Sequence, residues 1–253
     1  MVRSRRRLTR RTIRVDVFAL LILTTCSAVS GCSVRRPAAR QLRAEDVRVQ
    51  MEIVLTLGLR SYDSLYDGLP PVTIPDKYGA PSMSWRGPVY GLARTASIDR
   101  SFEPEVSFDK AWFAAENRLA VATACSFYCF DRDEHGRPKT SPNIFAITGS
   151  GTAFDESQVT RLSAIPHDTI LLIESRGTAV TWLEPGDINV TDLSRYRQAV
   201  SHPRGQHVGF ADGTVWCISV DTPTVELQKL CTIDGAMEFD RDVVLERHRI
   251  RER

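Results

Sequence analysis

Residues 201–220, Ser-His-Pro-Arg-Gly-Gln-His-Val-Gly-Phe-Ala-Asp-Gly-Thr-Val-Trp-Cys-Ile-Ser-Val, place the tightest limit on the fold. Val208 and Phe210 alternate with small or polar neighbours, and Trp216 and Ile218 resume the alternation after Asp212-Gly213. Period-two patterning on either side of an Asp-Gly pair predicts a β-hairpin, and that pair suits the positive-φ positions of a two-residue type I′ turn. A strand pair with large apolar side chains on one face must be buried by something, so this region requires a sheet with a packed layer upon it.

The rest of the chain supplies candidates for that layer. From Val47 onward Met51, Leu55, Leu59, Tyr62, Tyr66 and Leu69 recur at steps of three and four, with Ile53, Val54 and Leu57 widening the stripe. The spacing predicts an amphipathic helix ending near Gly68-Leu69-Pro70-Pro71, its apolar face packed on a sheet. Thr169-Ile170-Leu171-Leu172-Ile173-Glu174 is continuously apolar before its last residue and predicts a central strand buried on both faces. Asn143-Ile144-Phe145-Ala146-Ile147 predicts another strand, residues 119–125 a further one, and Pro223 opens a helix through Val225, Leu227, Leu230 and Cys231. Residues 241–253 are dense in charge and read as a frayed helix or tail.

The N-terminus is of a different character. Residues 1–31 hold seven Arg against one acid, Asp16, followed by a short apolar run over 17–29, the pattern of a secretory signal or membrane anchor. The run falls short of the roughly 20 apolar residues that span a bilayer. It ends in Val29-Ser30-Gly31-Cys32, which resembles the lipobox of bacterial lipoproteins and marks Cys32 as the residue that takes the lipid. The remainder carries 26 basic and 30 acidic side chains, a net charge of −4, with no basic stripe. Nucleic-acid binding needs clustered cations to neutralise phosphates, and this pattern argues against it. In an exported protein Cys125, Cys129, Cys217 and Cys231 are either disulfide partners, with 125/129 and 217/231 as plausible pairs, or buried thiols packed as small hydrophobes.

His202, nine residues, then Asp212-Gly213 resembles the signature of the prepilin-processing-associated H-X9-DG family, a pseudopilin-like domain of unknown function. Other patches are similar to the family's: the end of the long helix at Tyr62-Asp63-Ser64-Leu65-Tyr66 through Pro70-Pro71; Asp76-Lys77-Tyr78-Gly79-Ala80-Pro81 with Ser84-Trp85-Arg86; the Trp112 stretch over 107–118; Gly149 to Phe154; Thr169 to Glu174; and Trp182-Leu183-Glu184-Pro185-Gly186-Asp187-Ile188. The resemblance implies an α+β domain over 32–240, with a long N-terminal helix packed on a mostly antiparallel β-sheet. It further implies a structural or assembly role in the cell envelope, tied to type II secretion or a pilus-like system. The partners would be a membrane, through lipid or anchor, and envelope or secretion-system proteins, with the domain outside the cytoplasm. The leader departs from the family's prepilin start, since Arg11 holds the place of the Gly before the cut, and this argues against incorporation into a fibre.

The chemistry-bearing residues are few. His202, His207 and Asp212 have the donor types of a metal triad, but Pro203 fixes an extended approach and Asp212 serves the turn, so no metal is expected. Asp131 to Gly136 opens like a calcium loop but carries Pro142 where the bidentate Glu belongs. Residues 148–152 lack the Lys and helix of a phosphate loop. Glu174, at the end of a buried strand, is a candidate site carboxylate or a hydrogen-bonded structural one. No nucleophile-and-base motif or dinucleotide fingerprint is present, so the expectation is a non-enzymatic protein without cofactor. The alternative is an extracytoplasmic solute- or glycan-binding lipoprotein, which a pocket lined by Trp85, Trp112 and Trp182 would favour. An envelope hydrolase is a third reading, favoured if Glu174 meets His202 or His207 in a cleft.

Overall fold

The computed structural model describes residues 39–96, 104–176, 179–196 and 205–251. Residues 1–31, Cys32 and His202 lie outside the described residues, and with them the expected signal or anchor, the expected lipidation site and the first residue of the H-X9-DG-like pattern. The helical run consists of α1 (Ala39–Ile53), a π-helical turn (Val54–Leu59) and α2 (Arg60–Tyr66). It is followed by β1 (Thr73–Pro75), β2 (Pro81–Ser84), α3 (Arg86–Ala96) and α4 (Arg118–Ala122). Then come β3 (Ile144–Thr148), β4 (Ile170–Glu174), β5 (Ile188–Asn189), α5 (Leu193–Tyr196), β6 (Gly205–Phe210) and β7 (Val215–Ser219). The last described elements are α6 (Thr224–Cys231), α7 (Ile233–Glu238), α8 (Arg241–Leu245) and β8 (Arg249–Ile250).

The fold is mixed α/β around a sheet of order β5-β3-β4-β6-β7-β8. Every neighbouring pair is antiparallel except β3 and β5. Because successive side chains point to opposite faces, each strand contributes to two cores. Ile144, Ala146, Leu172 and Val215 join Met51, Leu55 and Leu59 of the helical run on one face. Phe145, Ile147, Ile173, Val208, Phe210, Trp216 and Ile218 join Leu227 and Leu230 of α6 and Leu245 of α8 on the other. A sheet covered on both sides needs apolar residues at consecutive positions, which is why β3 and β4 are nearly unbroken apolar runs.

The helical run seats directly on the β6-β7 hairpin. A Cβ at Gly209 would lie 2.8 Å from Leu55 Cδ1 and 3.1 Å from Met51 Sδ, so the absent side chain lets the helix approach the strand. A Cβ at Gly58, in the π turn, would lie 2.5 Å from Val89 Cγ1, giving α3 the same close approach from the other side. The π turn widens the helix locally and resets the phase of the stripe. Met51, Leu55 and Leu59 are buried as the periodicity predicts, but Tyr66 is 63% exposed where the unbroken period would bury it.

Three further expectations change. Residues 119–125 are not a strand: Leu119 to Ala122 belong to α4. The hairpin turn is not two residues long. Gly213 N–H donates to Phe210 O (2.9 Å) and Phe210 N–H to Thr214 O (2.9 Å), so the loop is Ala211-Asp212-Gly213, with only Gly213 at positive φ (91°). This is the three-residue hairpin in which a left-handed Gly follows a tight turn. The segment from Arg241, expected as a loose tail, instead forms α8, with Leu245 wholly buried, and then the edge strand β8 against Cys217 and Ile218.

Gly209→Val is expected to lower stability by about 1–3 kcal/mol, because the added carbons overpack the helix-hairpin seam. A fall in the urea midpoint of the purified protein without a change in m-value is the measurement.

Candidate functional site

The hairpin gathers most of the polar side chains singled out from the sequence. Pairing of β4 with β6 aligns Ile173 with Val208, and one residue further on this brings Glu174 beside His207. Glu174 Oε2 lies 2.6 Å from His207 Nδ1 and accepts the His207 backbone N–H at 3.2 Å. Gln206 Nε2 donates to the Glu174 carbonyl at 2.7 Å. Side chains thus continue the β4-β6 ladder beyond its last strand pair. Both partners of the Glu174-His207 contact are wholly excluded from solvent. The meeting of Glu174 and His207 therefore occurs, with both side chains shut off from solvent and tying β4 to β6.

Asp212 holds the far end of the hairpin. Its Oδ1 accepts from Thr214 N (2.9 Å) and Thr214 Oγ1 (2.7 Å), and its Oδ2 accepts from Arg241 Nη2 (2.6 Å). Arg241 also reaches Asp168 Oδ1 through Nε (3.1 Å) and stacks over Phe210 at 4.8 Å. From the opposite side Arg60 Nη2 donates to the Asp212 carbonyl (3.3 Å). Partial burial pushes the Asp212 carboxyl up, yet the bonds from Arg241 and Thr214 more than offset it and hold the group below its ordinary pKa. Asp212 and His207 belong to different contacts, and among the described residues no cluster of three or more His, Cys, Asp or Glu is placed to hold a metal ion.

A second polar centre escaped sequence reasoning, although its residues lie within the family-like patches. Arg86, wholly buried, pairs with Asp187 at 3.0 Å. Its other donors reach Ile144 O (3.2 Å), Ser84 Oγ (2.6 Å) and Gly186 O (2.8 Å). Asp187 Oδ1 also accepts Trp85 Nε1 (3.0 Å) and the backbone N–H of Ala146 (2.8 Å). Burial raises the Asp187 pKa, and Arg86, Trp85 and Ala146 draw it back only in part. The available signal was compositional: an Arg inside Ser-Trp-Arg, flanked by apolar segments, has to find a buried acceptor.

The other candidates resolve into framework. Trp85 and Trp182 are wholly buried and joined through Tyr128, whose ring lies 6.0 Å from the first and 6.2 Å from the second. Trp182 Nε1 donates to Ala120 O at 3.0 Å. Trp112 is half-buried against Phe113. The Asp131 loop is closed by Asp133 accepting from the His135 and Arg137 backbone, and Asp131 pairs with Arg176 at 3.0 Å. In the Gly149-Thr152 turn Gly151 N–H donates to Asp155 at 2.9 Å. Cys125, Cys129, Cys217 and Cys231 are buried as thiols, and burial pushes Cys231 up to about 12. No helix of the described residues is long and apolar enough to cross a membrane.

No family model, curated protein or solved structure matches this chain.

Arg86→Met is expected to cost about 3–5 kcal/mol by leaving Asp187 buried without its cation, read by chemical denaturation. Asp212 supplies a pH test. Its lowered pKa means that its contribution is complete above the unfolded carboxylate value, about 4, and is lost as the pH falls through the lower folded value. Asp212→Asn should therefore cost about 1 kcal/mol near neutrality, because solvent screens a partly exposed pair, and the gap from wild type should close in acid. Unfolding midpoints measured across the acid limb give the comparison.

Proposed function

We propose that this chain is a non-enzymatic, exported cell-envelope protein of the H-X9-DG pseudopilin-like type, tethered to a membrane and acting as a structural or assembly component. The observation that carries this reading is the seating of the helical run on the motif hairpin. Residues that follow the tether in sequence form a helix whose Met51, Leu55 and Thr56 close on Gly209 and Gly213. A helix leading from a membrane segment and laid against an antiparallel sheet is the arrangement that the resemblance implies. The union of Ser84-Trp85-Arg86 with Asp187 adds support, because two separately matching patches become one buried network. The solute-binding alternative called for tryptophans lining a pocket, whereas Trp85 and Trp182 are spent on the core.

The test compares wild type with Cys32→Ala for mature mass, membrane fractionation and incorporation of a labelled fatty acid. The expected result is a mature N-terminus at lipidated Cys32 and a variant that is released or stalled. Cleavage near Thr12, or an apolar run kept without lipid, would replace the lipid tether with a pseudopilin-like anchor. An unlabelled cytosolic protein with residues 1–31 intact would overturn the envelope reading.

A further inference from the structure

We propose that residues 240–251 are a releasable strap over the motif hairpin, held in part by charge and loosened by rising ionic strength. The connection into it, Phe239-Asp240, is extended backbone, and Asp240 then caps the five-residue α8 through its side chain and the Asp242 N–H (2.7 Å). The apolar hold rests on two side chains. Val244 and Leu245 are buried, but Val243 is 79% exposed, and β8 pairs with β7 over two residues only.

The ionic hold is extensive by comparison. Arg241 bridges Asp168 and Asp212, and its Nη1 donates to Thr214 Oγ1 at 2.8 Å. Arg247 and His248 both reach Glu226 of α6. The guanidiniums of Arg249 and Arg241 stack on Trp216 at 4.1 and 5.2 Å. A segment with few buried apolar contacts and partly exposed ion pairs opens at a lower free energy than the sheet beneath it, and salt weakens its attachments more than it weakens hydrophobic packing. Opening bares Trp216 and the outer edge of β7. Asp212 would then have two tasks: it shapes the hairpin turn through Thr214 and latches the strap through Arg241.

Amide hydrogen exchange on the full-length protein in detergent tests the strap, at about 0.01 and 1 M salt, between which the Debye length shrinks from roughly 30 to 3 Å. In wild type the amides of residues 241–251 should exchange about tenfold faster in high salt, with those of β3 and β4 unchanged. Arg241→Gln should show the faster exchange already in low salt and respond less to further salt. Strap amides indifferent to salt in wild type, or an acceleration shared equally by β3 and β4, would overturn the proposal. The wild-type comparison decides the matter even if the variant fails to fold.

Discussion

The arrangement depends on the buried pair of Arg86 and Asp187. Removing two charges from water costs several kcal/mol per ion, and their attraction offsets this only when the remaining donors and acceptors are also satisfied. Arg86 meets that condition by holding Ile144 O, Ser84 Oγ and Gly186 O, whereas Asp187 meets it on one oxygen: Oδ1 accepts from Trp85 and Ala146 as well as Arg86, and the buried Oδ2 has no hydrogen-bond partner. Those bonds join the β2-α3 junction, strand β3 and the loop before β5. Hydrophobic burial alone would tolerate sliding of these segments, whereas directional bonds to a planar guanidinium do not. The surrounding rings extend the constraint: Arg86 stacks over Phe145 at 5.1 Å, and Tyr128 donates to its carbonyl at 3.2 Å. The tryptophan core is thereby built on an ionic centre.

How much of this could be read from the sequence follows from the range of the forces involved. The strands β3, β4, β6 and β7 and helix α6 were legible, because burial and turn chemistry act over a few residues. The buried stripe Met51, Leu55, Leu59 was legible for the same reason, and its loss of phase at Tyr66 was not, since the π turn, where Gly58 meets Val89, leaves no periodic trace. The Ala211-Asp212-Gly213 loop differs from the expected turn by one residue, a difference decided by cross-strand register. The charged residues from Arg241 onward read as a tail because their partners, Asp168, Asp212 and Glu226, are distant in sequence. Glu174 and His207 were each visible as candidates. That they touch is a property of the β4-β6 pairing, 33 positions apart in the chain.

The hairpin illustrates how one local pattern is put to several uses. Its alternation builds a core face from Val208, Phe210, Trp216 and Ile218. Its opposite face presents Gly209, with no side chain, to the helical run, so close helix approach and strand continuity coexist. Its two ends are polar and are held differently. Glu174 with His207 secures one end inside the protein, where water cannot compete, while Asp212 secures the other at a partly exposed position where Arg241 and Thr214 must outweigh solvent. The inner lock and the outer latch should accordingly differ in their sensitivity to salt, since screening acts on charges that solvent can reach.

Ser84, Trp85, Arg86, Trp182, Asp187, Asp212 and Gly213 are residues that close the fold. Ser84, Trp85, Arg86 and Asp187 form the ionic centre, Trp182 the aromatic core, and Asp212 with Gly213 the hairpin turn. A pattern composed of such residues specifies an architecture, because each member is needed by a distant contact. It says little about partners, because a side chain consumed in the interior is not available at a surface. Exposed positions such as Leu65, Tyr66, Phe113 and Leu119 can change without disturbing the ionic centre. One scaffold of this kind can therefore carry different surfaces.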